Sequence, residues 1–196
     1  MTAMHFTDLR LPECPQQPAE LRVEDGRFVS EFSPGTAPDT KDLGGRLVLP
    51  GLIETHIHLD KACIMDRCRL SEGTLEEAVA STSKAKAGFT EADVYQRGAR
   101  ILEQAITQGT THMRTHVELD PGIGLTGFHA IQRLQQDYAW AIGLEICVFP
   151  QEGLLNNPGT EALLCEALEN GAKVLGGCPY MDTDPQGQIR RLFELA

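Results

Sequence analysis

The sequence has no basic excess. Against 28 Asp and Glu stand 17 Lys and Arg in 196 residues, a formal net charge of −11. Without a basic patch to displace counterions, no nucleic-acid partner is expected, and net charge says little more about the fold. Long apolar runs are missing too. They break early, at Pro50 in one case and at Glu145 in another, far short of the roughly 18 apolar residues a bilayer span needs. The first 17 residues hold no apolar stretch of signal-peptide length, and Pro12 and Pro15 interrupt them. A cytoplasmic protein that meets no membrane is therefore expected. There is no cysteine framework either. Six cysteines lie at 14, 63, 68, 147, 165 and 178, and Cys63 and Cys68 have no second pair at zinc-finger spacing, so reduced thiols are expected. What remains, 41% hydrophobic and 23% charged, is an ordinary globular composition that can bury a core.

Asp25-Gly26 between two short β-prone runs predicts a hairpin, because glycine supplies the positive φ of a tight turn. Residues 33–45 are polar and turn-forming and read as a linker. Arg46 to Leu59 reads as an extended apolar segment broken at Pro50-Gly51. Thr74-Leu75-Glu76-Glu77 has the form of a capping box opening a helix through Ala87. Thr90 opens a second helix, with Gly109 as its cap. Thr110 to Leu119 alternates like a strand, a helix follows over 128–138, and residues 143–149 form another strand. Thr160 precedes a helix stopped by Gly171, Lys173 to Cys178 reads as a strand, and Pro185 suits the first turn of a last helix. Strands alternating with helices imply parallel βαβ units. Strand centres near 57, 116, 146 and 175 are separated by about 59, 30 and 29 residues, against about 31 per unit of a (β/α)₈ barrel. The longer first step holds two helices.

The sharpest chemical feature is Thr55-His56-Ile57-His58-Leu59-Asp60. Residues two apart on a strand share a face, so both imidazoles point the same way. Neutral imidazoles are good ligands for a divalent ion. The residues alone leave two readings open: a metal pair on a buried strand, or surface histidines on an edge strand. In Thr110 to Leu119 the same period puts His112, Arg114, His116 and Glu118 on one face. His116 reads either as a pocket residue or as a hydrogen-bonded barrel-interior histidine. Asp60 and Lys61 either line the mouth of a site or form a plain exposed ion pair. Glu76, Glu77 and Glu91 read as first-turn partners of the helix dipole, and His5 and His129 as incidental.

The run Val48-Leu49-Pro50-Gly51-Leu52-Ile53-Glu54-Thr55-His56-Ile57-His58 resembles the first barrel strand of the amidohydrolase superfamily. Thr115-His116-Val117 and Val148-Phe149-Pro150-Gln151-Glu152-Gly153 resemble its bacterial cytosine deaminase branch, which includes isoguanine-type and N-alkyl-ammelide hydrolases. The resemblance runs from about Leu21 to Ala196. It implies an α/β fold: a partial (β/α)₈ TIM barrel of the first four β/α units, preceded by a small N-terminal β-sandwich fragment. Residues 1–49 would be the sandwich portion and linker, and residues 50–196 the first half of the barrel, truncated. It implies that His56 and His58 bind a divalent metal ion, Zn²⁺ or Fe²⁺, and that Gln151 contacts a pyrimidine-like ring. An amide suits that role because it offers donor and acceptor together. His116 and Asp60 are the candidates for orienting the site from behind.

The implied chemistry is hydrolytic deamination of a small amino-heterocycle by a metal-activated water. In the family a third His, a Glu, a further His and an Asp lie on later strands. None of these catalytic positions falls within the 196 residues, so the chain alone is expected to be inactive. Open barrel edges, with Ile146 and Val148 uncovered, would drive self-association. The alternatives are a non-catalytic truncated or interaction module, and an N-alkyl-amino-triazine amidohydrolase.

Overall fold

The structure is a computed structural model that describes residues 2–68 and 71–196. The chain divides into two compact units, Met1–Pro50 and Gly51–Ala196.

The first unit is a four-stranded mixed sheet of order β3-β2-β1-β4, built from β1 (Ala3–Arg10), β2 (Ala19–Glu24), β3 (Arg27–Val29) and β4 (Asp39–Leu47). The hairpin forms where the sequence places it. Asp25 at φ 49° and Gly26 at φ 76° give the doubly left-handed turn whose twist matches antiparallel strands. The linker reading of 33–45 is corrected. Its second half belongs to β4, which pairs in parallel with β1 through Met4–Asp39 to Arg10–Leu47. β4 is largely exposed, so it carries no apolar alternation, and backbone pairing alone defines it. β1 likewise lies in a segment read only for its lack of an apolar core.

The second unit is a parallel sheet of order β5-β6-β7-β8, from β5 (Leu52–Ile57), β6 (Thr110–Glu118), β7 (Gly143–Phe149) and β8 (Val174–Leu175). Helices α1 (Leu75–Lys86) and α2 (Glu91–Thr107) separate β5 from β6. Then α3 (Thr126–Asp137) leads to β7, α4 (Thr160–Glu169) to β8, and α5 (Pro185–Leu195) follows. The caps are those expected: the Thr74 hydroxyl accepts from Glu77 N–H and the Thr90 hydroxyl from Asp93 N–H, each satisfying an orphan donor. The reading of β8 as Lys173–Cys178 shortens to two residues, because Gly176-Gly177 leads directly into a 3₁₀ turn over Pro179–Met181.

The core lies between the sheet and its helices. Met113, Thr115 and Val117 of β6 pair across to Leu144, Ile146 and Val148 of β7, and all six are at most 6% exposed. Phe128, Ile131 and Leu134 of α3 and Val94 and Leu102 of α2 join the same cluster. Ile146 and Val148 are therefore covered by helices, contrary to expectation. Strand parity decides this, since the opposite face of β7 carries Glu145, Cys147 and Phe149. The buried-strand reading of the histidine strand is also corrected. β5 is an edge of the sheet, with Leu52 55% and Ile53 69% exposed, because no strand pairs on its far side among the described residues.

Candidate active site

The C-terminal ends of β5, β6 and β7 bring the predicted site residues together. Beyond β5 the chain turns into a short 3₁₀ segment, Leu59–Lys61. Two contacts fix it: Leu59 N–H donates to the buried Thr115 hydroxyl at 3.1 Å, and Glu118 N–H donates to Asp60 Oδ2 at 3.1 Å. From behind, the Arg97 guanidinium donates to the carbonyls of Asp60 (3.0 Å) and Ala62 (2.6 Å). It also stacks on Phe89, 4.5 Å from the ring centroid.

His56 and His58 lie with ring centroids 5.3 Å apart, and His56 stacks on His116 at 4.1 Å with 20° between planes. His58 Nδ1 donates to the His116 carbonyl at 3.1 Å. A carbonyl only accepts, so this contact places the proton on Nδ1 and leaves the Nε2 lone pair free. Burial first, then Lys61, His116 and His56, push the His58 pKa down to about 4, so the ring is neutral at pH 7. Burial, helped by His56 and Arg114, also lowers that of His116, whose Nδ1 is buried without a partner. Two imidazoles at one strand end, that of His58 neutral and with its tautomer already set, fit the donor set of a divalent ion. They supply two of the three protein ligands that a catalytic zinc usually takes.

His58 and Gln151 line one cleft of about 330 Å³, together with Lys61, Glu118 and Glu152 and with an apolar wall that includes Ile64 and Val79. Gln151 Nε2 donates to Cys178 Sγ at 3.1 Å. Cys178 is itself clamped by the fully buried Gln188, which accepts from its N–H at 2.9 Å. Asp182 holds the loop after Gln151 by accepting from the backbone N–H groups of Leu154, Leu155 and Asn156.

Asp60 is buried, at 3% exposure, not an exposed partner of Lys61. Its Oδ1 has no partner, and burial raises its pKa to about 6. Lys61 pairs instead with Glu118 Oε2 at 2.9 Å. Glu77, read as a dipole partner, accepts from Ser71, Glu72 and Gly73 N–H groups; the Ser71 contacts are the main reason its pKa falls to about 2.

The sequence reading missed a buried ionic knot beside the cleft. Lys86 Nζ donates to Glu118 Oε1 at 2.5 Å, to Asp120 Oδ2 at 2.7 Å and to Glu152 Oε1. Burial works to lower the Lys86 pKa, yet Glu118, Asp120 and Glu152 outweigh it and hold the ammonium above the ordinary lysine range. Oxygens of these three carboxylates lie within 4.8 Å of one another, a spacing a cation could occupy, and here that cation is Lys86. One signal was available: Glu118 and Asp120 are two apart at a strand end, and Glu152 adjoins Gln151. Lys86 itself gave none, being one of two lysines in the last turn of a helix.

Comparison with known proteins identifies the family. The sequence profile of the Amidohydrolase family matches residues 39–173. The structure superposes on N-isopropylammelide isopropylaminohydrolase from Burkholderia multivorans with a TM-score of 0.86 at 28% identity, covering 100% of this chain and 50% of that one. With 5-methylcytosine deaminase from Klebsiella pneumoniae liganded with 5-fluorocytosine, the TM-score is 0.84 at 31% identity, over 98% and 48% of the two chains. A pterin deaminase from Rhizobium rhizogenes is 27% identical over 91% of this chain and 42% of its own length. The chain thus spans about half the length of the relatives it matches. Because the matched stretch runs through both the histidine strand and the Gln151 loop, the chain belongs to the amidohydrolase family and resembles its cytosine deaminase-like branch.

Proposed function

We propose that these residues form the first half of a metal-dependent hydrolase that deaminates a small amino-heterocycle with a pyrimidine-like ring. The observation that carries this reading is the His58 imidazole: neutral, with Nδ1 committed to the His116 carbonyl and Nε2 free, in one cleft with Gln151. His56 and His58 would hold a Zn²⁺ or Fe²⁺ ion, and such an ion supplies a water acidic enough to ionise near neutral pH. His116 orients His58 through its carbonyl and supports the His56 ring by stacking. The buried Asp60 fixes the end of β6 beside them. Gln151, steadied by Cys178, offers its amide to a ring edge. The apolar wall keeps water from the ring.

We further propose residues 1–49 as a portion of a β-sandwich with its linker, and residues 50–196 as four β/α units of a barrel. In this reading the protein works in the cytoplasm, and the 196 residues alone are inactive because two imidazoles make an incomplete site. They self-associate through the open sheet edges. A second reading, hydrolysis of an N-alkylated amino-triazine, is favoured by the apolar residues Ile64, Met65, Ala78 and Val79 in the cleft, which suit an alkyl substituent.

Titrating the purified chain with Co²⁺ and recording its visible spectrum tests the metal pair. His56→Ala or His58→Ala should abolish a bound-cobalt spectrum that His112→Ala leaves intact. Equal binding by all three variants would exclude His56 and His58 as the ligands. Metal-dependent ammonia release from cytosine by the 196-residue chain would overturn the inactivity, and a substrate panel on a longer chain separates the two readings.

A further inference from the structure

We propose that Lys86 is a positioning residue that fixes helix α1 as a wall of the cleft. The inference draws on the proposed function only in taking the cleft as the ligand site. α1 differs from its neighbours: of its 12 residues only Lys86 is buried, whereas α2 buries Val94, Arg97, Gly98 and Leu102, and α3 buries Phe128, Ile131 and Leu134 among others. Apolar burial, which fixes α2 and α3, therefore contributes little to holding α1. Its inner face instead borders the cleft through Ala78, Val79, Thr82 and Ser83.

The ties that hold α1 are polar and gathered near its last turn. Lys86 reaches Glu118, Asp120 and Glu152, and the Ser83 hydroxyl also donates to Glu152. These acceptors sit on parts that the sheet fixes. Glu118 ends β6, Asp120 braces the next loop by accepting from Gly122 N–H at 2.6 Å, and Glu152 follows β7. One ammonium group thus joins α1 to the ends of two strands. At the other end of the helix, Glu77 binds the loop Ser71–Gly73 to α1 itself rather than to the sheet.

A second cavity of about 590 Å³ is lined by Leu75, Ala80, Tyr180 and Met181, and Val79, Ser83 and Glu152 border both spaces. The Ser83–Glu152 contact lies where the two spaces adjoin. Lifting α1 off the carboxylates would merge the two spaces and expose the ring site to water. Removing one member of a buried ionic cluster leaves the others uncompensated, so the contact acts as a unit.

Hydrogen exchange followed by mass spectrometry on the 196-residue chain tests this without any turnover. In Lys86→Met, amides of 75–86 should exchange about tenfold faster or more, with residues 91–107 and 126–137 unchanged. Lys86→Arg, which keeps the charge, should restore most of the protection. Glu152→Gln, altering the most exposed of the three carboxylates (29%, against 4% for each of the others), should shift α1 in the same direction with the fold intact. Unchanged exchange of α1 in both Lys86→Met and Glu152→Gln overturns the proposal. So does exchange that rises equally in α2 and α3, which would make Lys86 a support of the whole unit. Failure of the deamination reading would alter none of these outcomes.

Discussion

Asp93 receives two guanidinium groups. Arg67 donates to both of its carboxylate oxygens, at 2.8 and 2.6 Å, and Arg97 donates at 3.1 and 3.0 Å. The hydrogen bonds from Arg67, against the opposing effect of burial and with help from Arg97, hold its pKa down at about 2. A folded pKa below the unfolded value of about 3.9 means that the unfolded chain binds the proton more tightly. The stability Asp93 contributes is therefore complete above about pH 4 and is lost as pH falls toward 2. Asp93→Asn should lower unfolding free energy by about 1–2 kcal/mol at pH 7. In urea titrations the gap between mutant and parent should close between pH 4 and 2, and a constant gap would refute the assignment. Asp60 and His58 show the opposite effect of place. Each neighbours charged groups, yet burial dominates and favours the neutral form of both. The histidine pair was legible because strand period two is a local property. The burial of Asp60 was not, because Glu118 and Arg97, which hold it, lie 58 and 37 residues away.

At the scale of elements, apolar periodicity and caps placed α2, α3, β6 and β7 almost to the residue. Close approach between elements set what periodicity could not. α2 meets α3 at Gly98, where an added Cβ would lie 2.6 Å from Leu134 Cδ1 and 3.7 Å from the Leu59 carbonyl oxygen. Gly98→Ala gains helix propensity of roughly 1 kcal/mol but overpacks a close contact, which costs about 1–3 kcal/mol. The net change should be a modest loss of thermal stability, and Leu134→Ala in the same chain should restore part of it by vacating the space. A Gly98→Ala protein more stable than its parent would show that the two helices slide apart freely. β4 and β8 were misjudged for a shared reason. Both are defined by backbone pairing rather than side-chain pattern, β4 through its parallel register with β1 and β8 through only two ladder positions, Val174 and Leu175.

Across the whole molecule, the second unit carries two open sheet edges among the described residues, at β5 and β8. The β5 edge presents the exposed side chains of Leu52 and Ile53, and on α5 Phe193 is 82% exposed. Edges of this kind template pairing with another chain. Sedimentation velocity on the purified 196 residues should show association that rises with concentration. Ile53→Lys should shift it toward monomer, since a lysine on an edge opposes pairing. A monomer at all concentrations, unaffected by that substitution, would count against association through β5. The six thiols are all free, and no described helix is long and apolar enough to cross a membrane.

By itself the sequence determined the order of strands and helices in the second unit, the hairpin at Asp25-Gly26, the shared face of His56 and His58, and the family motifs. All of these rest on spacings of a few residues, which local backbone geometry converts directly into direction. Only the tertiary structure decided that β5 is an edge, that Ile146 and Val148 face helices, and that Lys86 sits among Glu118, Asp120 and Glu152. Those facts depend on pairings 32 to 66 residues apart for the lysine and on strand register for the rest. No local period encodes them, because burial and charge neutralisation act only once the chain has brought distant segments together.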